Sequence, residues 1–282
     1  MRWDFGTILK EIWQSKGLTQ LDICRDNLSR ATLSKIENNK EIPNVENFEY
    51  ILKQLDMSFE EFNYICHTYL PSECSKIIQY FENSHTVYKT AKHYENILEE
   101  SNHYLKTHND LPIENIAKIS RLCLSICKNG DNEHSYFLAQ ELWKELDKCD
   151  NWYLSDLHKL NAAMILFPIE QITESMDKIL LSLKKYKNFK EIKSWEFAFL
   201  TNMSTIFLNK GMIKEYLKIT KITYQIAQET LRVDQLGFAT IRLGICQNNA
   251  ILVETGLQLL KLANLESMLQ SCKIEVERYM WN

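Results

Sequence analysis

Apolar positions in the first 66 residues recur at helical spacing and predict a string of five short helices. The first helix carries its apolar side chains on one stripe, followed by a glycine stop: Phe5, Ile8, Leu9, Ile12, Trp13 and Gly17. Each of the next four helices follows a residue type that caps helices well: Thr19, Ser29, Asn44 and Ser58. This segment is therefore predicted to be a small all-α domain.

The second and third of these helices are short, and a tight turn at Asn27 and Leu28 joins them. A short buried helix that supports an exposed one is the physical requirement of helix-turn-helix DNA recognition. The exposed face of the third helix carries side chains that can contact base edges and phosphates, namely Ser29, Arg30, Ala31, Thr32, Lys35 and Asn38. Arg25 and Lys40 are close enough in sequence to extend this face.

Beyond a boundary near residues 67–72, helical periodicity continues almost to residue 279, in segments of 15–20 residues separated by short breaks. Short breaks between helices favour antiparallel neighbours. A weak repeat is visible, because Asn161 and Asn202 lie mid-helix, 41 residues apart, in segments that each begin near a tryptophan. We therefore predict two domains, residues 1–66 and 67–282, the second a tetratricopeptide-like right-handed helical repeat array with a concave groove.

A mid-helix asparagine among apolar residues needs a hydrogen-bond partner. Asn161 and Asn202 could each bridge to a neighbouring helix, or they could face the groove and bind the backbone of an extended peptide. The other candidate peptide-binding residues are apolar or aromatic side chains for pockets and arginines for carboxylates: Tyr153, Trp195, Phe199, Met203, Arg121 and Arg242.

Composition supports a helical chain, since only 7 glycines and 4 prolines occur in 282 residues. The N-terminus lacks the apolar core of a signal peptide, and no segment is long and apolar enough to span a bilayer. The eight cysteines have no metal-like spacing, so we expect free thiols in a reducing cytoplasm and neither a metal nor another cofactor.

Charge argues against simple electrostatic binding of DNA. The chain has a net charge of −4, and residues 1–66 hold 8 Lys and Arg against 11 Asp and Glu. If the first domain binds double-stranded DNA, its positive charge must be gathered on one face.

The stretch LTQLDICRDNLSRATLSKIENNKEIPNVENFEYILKQL resembles the phage-repressor type of helix-turn-helix. The resemblance implies that Thr19 and Gln20 approach phosphates and bases, that the third helix reads bases, and that the loop around Asn38 and Lys40 contacts phosphates. Two departures stand out. The turn lacks the usual glycine and is one residue short, and Trp13 occupies the position of the arginine that usually pairs with the glutamate at position 37.

With the helical repeats that follow, the whole chain resembles the Rgg/GadR/MutR family, most closely in LSRATLSKIENN and NWYLSDLHKLNAAMILF. This resemblance implies a cytoplasmic, homodimeric transcription regulator in quorum sensing, whose repeat domain binds a short signalling peptide. A long C-terminal helix over residues 254–279 would then offer a dimer surface, with these residues available: Leu257, Leu260, Leu265, Leu269 and Trp281.

Other classes of function stay open at this stage. The chain could be an adaptor that binds only protein partners, or a regulator that senses a ligand other than a peptide. An enzyme is disfavoured, because no HExxH, GxSxG or P-loop motif occurs and the seven histidines lie singly along the chain.

Overall fold

The computed structural model describes residues 4–82, 90–130, 132–189 and 192–280. These residues form sixteen α-helices, one short 3-10 helix and no strand, which confirms the all-α prediction. The chain divides into two compact units, Met1–Lys76 and Ile77–Asn282, and the division falls within α6. The helices of the first part are α1 Phe5–Ser15, α2 Gln20–Cys24, α3 Arg30–Glu37, α4 Val45–Gln54, α5 Phe59–Cys66 and α6 Glu73–Glu82.

The rest of the chain continues as helices of similar or greater length. They are α7 Ala91–Tyr104, α8 Leu111–Asn129, α9 Glu133–Asp147, α10 Leu154–Ala163, α11 Ile169–Lys185, α12 Ile192–Asn209, α13 Ile213–Thr230, α14 Val233–Gln247, α15 Ala250–Leu262 and α16 Glu266–Met280. The 3-10 helix, Met164–Leu166, follows α10 directly and precedes Pro168.

The five helices predicted in residues 1–66 are present, and the four caps work as expected. Thr19, Ser29, Asn44 and Ser58 each accept a hydrogen bond from the backbone N–H three residues further on. These caps satisfy N–H groups that helix starts otherwise leave without partners. Short helices can therefore begin at fixed points and surround one core, made by apolar side chains of α1 to α5.

The position of α3 depends on a close approach to α1. The backbone N–H of Gly6 donates to Asn39 Oδ1 at 2.9 Å, and a Cβ atom on Gly6 would lie only 1.7 Å from the carbonyl oxygen of Ile36. Asn39 itself adopts a left-handed backbone conformation with φ of 53°, which ends α3. Gly6 on α1 and Asn39 after α3 therefore set how closely α3 packs against α1.

The second unit is built from helices that pack in antiparallel sequence neighbours, as α7 with α8, α12 with α13 and α14 with α15. One continuous apolar core runs through it, from Leu122 on α8 to Val276 on α16. Helical hairpins stacked around a shared core are what the periodicity predicts for a repeat array.

The C-terminal part differs from the single helix expected over residues 254–279. The structure breaks it into α15 and α16 at Asn264, whose φ is 56°. The break lets both helices turn leucines inward, because Leu260 on α15 and Leu269 on α16 are buried in the core. Trp281, which the sequence suggested for the dimer surface, lies outside the described residues.

Helices α14 and α15 come unusually close because glycines face each other across their contact. A Cβ atom on Gly256 would lie 2.5 Å from Ile241 Cγ1 and 2.6 Å from the carbonyl oxygen of Gly237. Those distances are too short for a methyl group unless the two helices separate.

We predict that Gly256→Ala destabilises the protein by about 1–3 kcal/mol, because forced separation outweighs the gain in helix propensity. Urea unfolding followed by circular dichroism measures the change. Lys261→Ala, at an exposed site on the same helix, is the matched control and should change stability by less than about 0.5 kcal/mol. An unchanged or raised midpoint for Gly256→Ala would contradict the close packing.

Candidate DNA-contacting surface and ligand groove

The exposed side of α3 carries the residues that the sequence singled out for DNA contact. Arg30, Ala31, Lys35, Asn38 and Lys40 are all exposed, while Leu33, Ile36 and Glu37 are buried on the opposite side. This division is the helix-turn-helix requirement that one face be held and the other be free. The structure thus places the candidate α3 readers and the loop lysine on one solvent-facing surface.

Several of these residues also serve the local structure. Ser29 Oγ accepts from the Thr32 N–H at 3.0 Å and lies 2.8 Å from the Thr32 hydroxyl, so both side chains form the cap of α3. Asn38 Nδ2 donates to the carbonyl oxygen of Ser34 at 2.6 Å. Lys35 lies 3.5 Å from Glu41 in an exposed ion pair, which is weak enough to exchange for a phosphate.

Thr19 forms a reciprocal cap with Asp22 at the start of α2. The Thr19 hydroxyl and N–H donate to Asp22 Oδ2 at 2.6 and 2.7 Å, and these bonds lower the pKa of the Asp22 carboxyl below its usual value. The cap predicted at Thr19 is confirmed, and with Asp22 it forms a full capping box. It also places a carboxylate beside Thr19, so the charge that favours DNA must come from α3 and the loop that follows it.

Glu37, which lacks the arginine partner that is usual in repressor-type domains, accepts hydrogen bonds from two neutral donors. Glu37 is only 3% exposed. Its Oε1 accepts from the indole Nε1 of Trp13 and its Oε2 accepts from Nε2 of Gln20, both at 2.9 Å. The residue that replaces the arginine therefore supplies the hydrogen bond itself. A sequence motif could not reveal this partner, because tryptophan on an apolar stripe is ordinarily read as core.

The other departure from the repressor pattern, the turn without glycine, is formed by an unusual backbone conformation at Arg25. Arg25 follows α2 with φ of 39° and ψ of −132°, in the half of conformational space that glycine occupies most easily. Such a conformation costs a non-glycine residue of order 1–3 kcal/mol. The tight turn therefore forms at the cost of a strained backbone at Arg25, whose side chain is exposed.

In the second unit, the two repeat asparagines meet. Asn202 Nδ2 on α12 donates to Asn161 Oδ1 on α10 at 2.9 Å. Asn202 is exposed and Asn161 is half-buried, so the pair bridges two helices and also faces solvent. With that bond formed, the pair still holds the NH2 of Asn161 as a donor and Oδ1 of Asn202 as an acceptor.

Aromatic side chains flank the pair. The imidazole of His158, three residues before Asn161, lies against the indole of Trp195 with ring centroids 3.5 Å apart and the ring planes tilted by 31°. Tyr153 is 64% exposed at the start of α10, where its N–H caps against Asp156 at 3.1 Å. Trp195 is thus half-buried against His158 near the pair, and Tyr153 is accessible eight residues before Asn161.

Three of the candidate groove residues are placed elsewhere. Phe199 and Met203 are 0% exposed, because α12 is apolar on nearly every side and these positions turn into the core. Arg242 is 4% exposed, whereas Arg121 on α8 is exposed. The burial of Phe199, Met203 and Arg242 removes them from the set that a ligand could contact in this structure.

Arg242 instead joins three helices. Its Nε and Nη2 donate to the two carboxylate oxygens of Glu275 on α16 at 2.8 and 3.0 Å. Its Nη1 donates to the carbonyl oxygen of Thr201 and to Ser204 Oγ on α12 at 3.1 and 2.8 Å. A second bond, from the Tyr279 hydroxyl to Asn209 Oδ1 at 2.9 Å, also connects α16 to α12. The C-terminal helix is therefore fastened to the helix that carries Asn202.

Among the residues described, no three His, Cys, Asp or Glu side chains are grouped so as to bind a metal ion. The eight cysteines are free thiols in the structure. No helix in the described part of the chain has the length and apolarity needed to cross a membrane.

Comparison with known proteins agrees with this geometry. A family model described as "Helix-turn-helix" matches residues 9–62, which span α1 to α5. No curated protein sequence matches the chain. Solved structures match nearly its whole length, covering 96–98% of it in the three that follow.

A crystal structure of a candidate transcriptional regulator from Listeria monocytogenes EGD-e is similar with a TM-score of 0.72 and 15% identity, covering 98% of this chain and 97% of that one. The PlcR structure from Bacillus thuringiensis gives 0.70 and 15%, covering 96% and 99%. The Rgg2 structure from Streptococcus dysgalactiae gives 0.64 and 12%, covering 97% and 99%. The chain has the fold of these proteins. At such low identity, likeness in fold does not by itself transfer their ligands.

We predict that Glu275→Gln destabilises the protein by about 3 kcal/mol, because it leaves the buried guanidinium of Arg242 without its carboxylate. Thermal or urea unfolding of the full chain measures this. Glu277→Gln removes the same charge from an exposed site two residues away and should be nearly neutral. Equal stability of the two variants would show that the Arg242 cluster does not hold α16.

Proposed function

We propose that this protein is a transcription regulator of the bacterial cytoplasm that binds double-stranded DNA through α2 and α3 and is controlled by a short signalling peptide bound in its helical-repeat unit. The observation that carries the DNA-binding part is the exposed face of α3, with Arg30, Lys35 and Lys40 free of the core and the helix fixed by its cap and by Glu37. The match of residues 9–62 to the helix-turn-helix family supports this reading.

The low positive charge of the first domain bears on how DNA is bound. Phosphate contacts supply most of the affinity of DNA-binding proteins, and the first domain has few lysines and arginines to make them. A single domain of this kind would bind weakly, so we propose a homodimer whose two DNA-binding domains contact half-sites about one helical turn apart. The exposed apolar residues of the C-terminal helices, Ile251, Leu262 and Ile274, are candidates for the contact between copies.

The proposal for the second unit rests on the asparagine pair. One outward NH2 and one outward carbonyl oxygen match the C=O and N–H of an extended peptide backbone and do not depend on its side chains. Trp195 provides apolar surface near them, Tyr153 is exposed at the start of α10, and Arg121 is exposed and available for a carboxylate. The PlcR structure is described as a complex with the peptide PapR7 and DNA, and Rgg2 as a pheromone receptor, which supports a peptide as the ligand class.

The alternative is an adaptor function, in which the first domain binds only protein. Measurements of DNA binding distinguish the two functions, because an adaptor of this kind would not bind DNA. We assign no catalytic role to the chain, since the proteins that share its fold are described as regulators or receptors.

We predict that the full chain binds genomic fragments in a salt-dependent manner, and that Arg30→Ala with Lys35→Ala weakens binding by about 10- to 100-fold. Electrophoretic mobility shift at several salt concentrations measures both, and the variant should show a shallower dependence on salt. Lys53→Ala with Lys76→Ala removes the same charge from other exposed sites of the first unit and is the control. If wild type fails to bind, or both double variants bind alike, the DNA-contacting surface is wrong.

For the groove, we predict that Asn161→Ala or Asn202→Ala weakens peptide binding by about tenfold or more, because a backbone C=O or N–H loses its partner. Isothermal titration of the full chain with short hydrophobic peptides encoded in the same genome measures affinity. Asn102→Ala, at an exposed site on α7, is the control. Unchanged affinity in both variants would exclude the pair as a backbone clamp.

A further inference from the structure

The hydrogen bonds of Glu37 fix the orientation of a side chain at the proposed DNA surface. Both carboxylate oxygens accept, Oε1 from Trp13 Nε1 and Oε2 from Gln20 Nε2. An ionised carboxylate has no proton to donate. The Gln20 amide must therefore turn its NH2 toward Glu37, and its carbonyl oxygen Oε1 is left on the opposite side of the amide.

Gln20 is well placed for this orientation to matter. It is the first residue of α2, it is only partly buried, and the bond to Glu37 ties it to the last residue of the recognition helix α3. An amide that is free to rotate can offer either its donor or its acceptor to DNA. Here the buried carboxylate fixes the amide, because reversing it would set two oxygens against each other. One hydrogen of the NH2 is taken by Glu37, and the carbonyl oxygen Oε1 is kept on the side away from it.

We propose that Glu37 is a positioning residue that determines specificity: it makes Gln20 present a hydrogen-bond acceptor, so Gln20 selects adenine or cytosine on the strand that it faces. In the major groove, adenine offers its N6 amino group and cytosine its N4 amino group, whereas guanine O6 and N7, thymine O4 and adenine N7 are acceptors. This inference rests on the DNA-binding function proposed above.

The substitution Glu37→Gln tests the inference through a reversal. The new amide keeps a carbonyl oxygen for the Trp13 indole, and it places an NH2 group where Oε2 accepted from Gln20. That NH2 must donate to Gln20 Oε1, so the Gln20 amide turns over and presents its own NH2 to DNA. The preference at one position of each half-site should then move from adenine or cytosine toward guanine or thymine, and cytosine should lose most, because it offers no acceptor in the major groove.

The experiment is selection and sequencing of bound duplexes from a randomised pool, with full-length wild type, Glu37→Gln, Gln20→Met and the double variant. Glu37→Gln should shift relative base frequency at that one position by about fivefold or more, with the other positions unchanged. Gln20→Met should lose the preference at the same position, and adding Glu37→Gln to it should change nothing further.

Three results would overturn the inference. Glu37→Gln could select the same sequence as wild type with uniformly weaker binding, which is what a purely structural role predicts. Gln20→Met could keep every base preference, which overturns the inference even if Glu37→Gln does not fold. The double variant could still differ from Gln20→Met at that position. If wild type itself selects no sequence, the DNA-binding function fails, and that result is distinct from the other three.

Discussion

A charged or amide side chain placed between helices must be matched by specific partners, and this constraint fixes how the helices of the protein meet. In the first unit, Glu37 joins α1, α2 and α3 through Trp13 and Gln20. In the second unit, Arg242 joins α12, α14 and α16 through Thr201, Ser204 and Glu275. Apolar packing alone would allow these helices to slide or rotate, whereas the hydrogen bonds admit one arrangement.

The two clusters lie close to the surfaces that we propose bind DNA and peptide. Glu37 supports the start of α2 and the end of α3, where the DNA contacts are proposed. Arg242 binds the backbone of Thr201, the neighbour of Asn202, and ties it to the C-terminal helix. A ligand that shifts α12 would therefore act on α16 through a charged, directional contact. This is a physical route by which peptide binding could bias the relation between two copies of the chain.

Much of the fold was predictable from sequence because caps and periodicity are local signals. Thr19, Ser29, Asn44 and Ser58 act through backbone groups three residues away, so their role is readable without tertiary information. The partner of Glu37 was not predictable, since Trp13 is 24 residues distant and its indole N–H leaves no trace in an apolar pattern.

Some of the candidate peptide-binding residues were predicted correctly from sequence and others were not, for similar reasons. Asn161 and Asn202 stood out as polar residues in apolar segments, and they do meet. Phe199 and Met203 lie on a helix that is apolar all round, where periodicity cannot separate core from groove. Arg242 was expected at the groove because charged residues seldom lie inside. Its burial is made tolerable by partners distant in sequence, namely Glu275, Thr201 and Ser204.

Mapping of the DNA sites occupied by the full-length protein in its own bacterium, by chromatin immunoprecipitation and sequencing, tests the central claim most directly. The account predicts a small number of discrete promoter sites, each with two related half-sites about one helical turn apart. Occupancy spread evenly over the genome, or absent altogether, would contradict the claim that a few positioned side chains on α2 and α3 read DNA sequence.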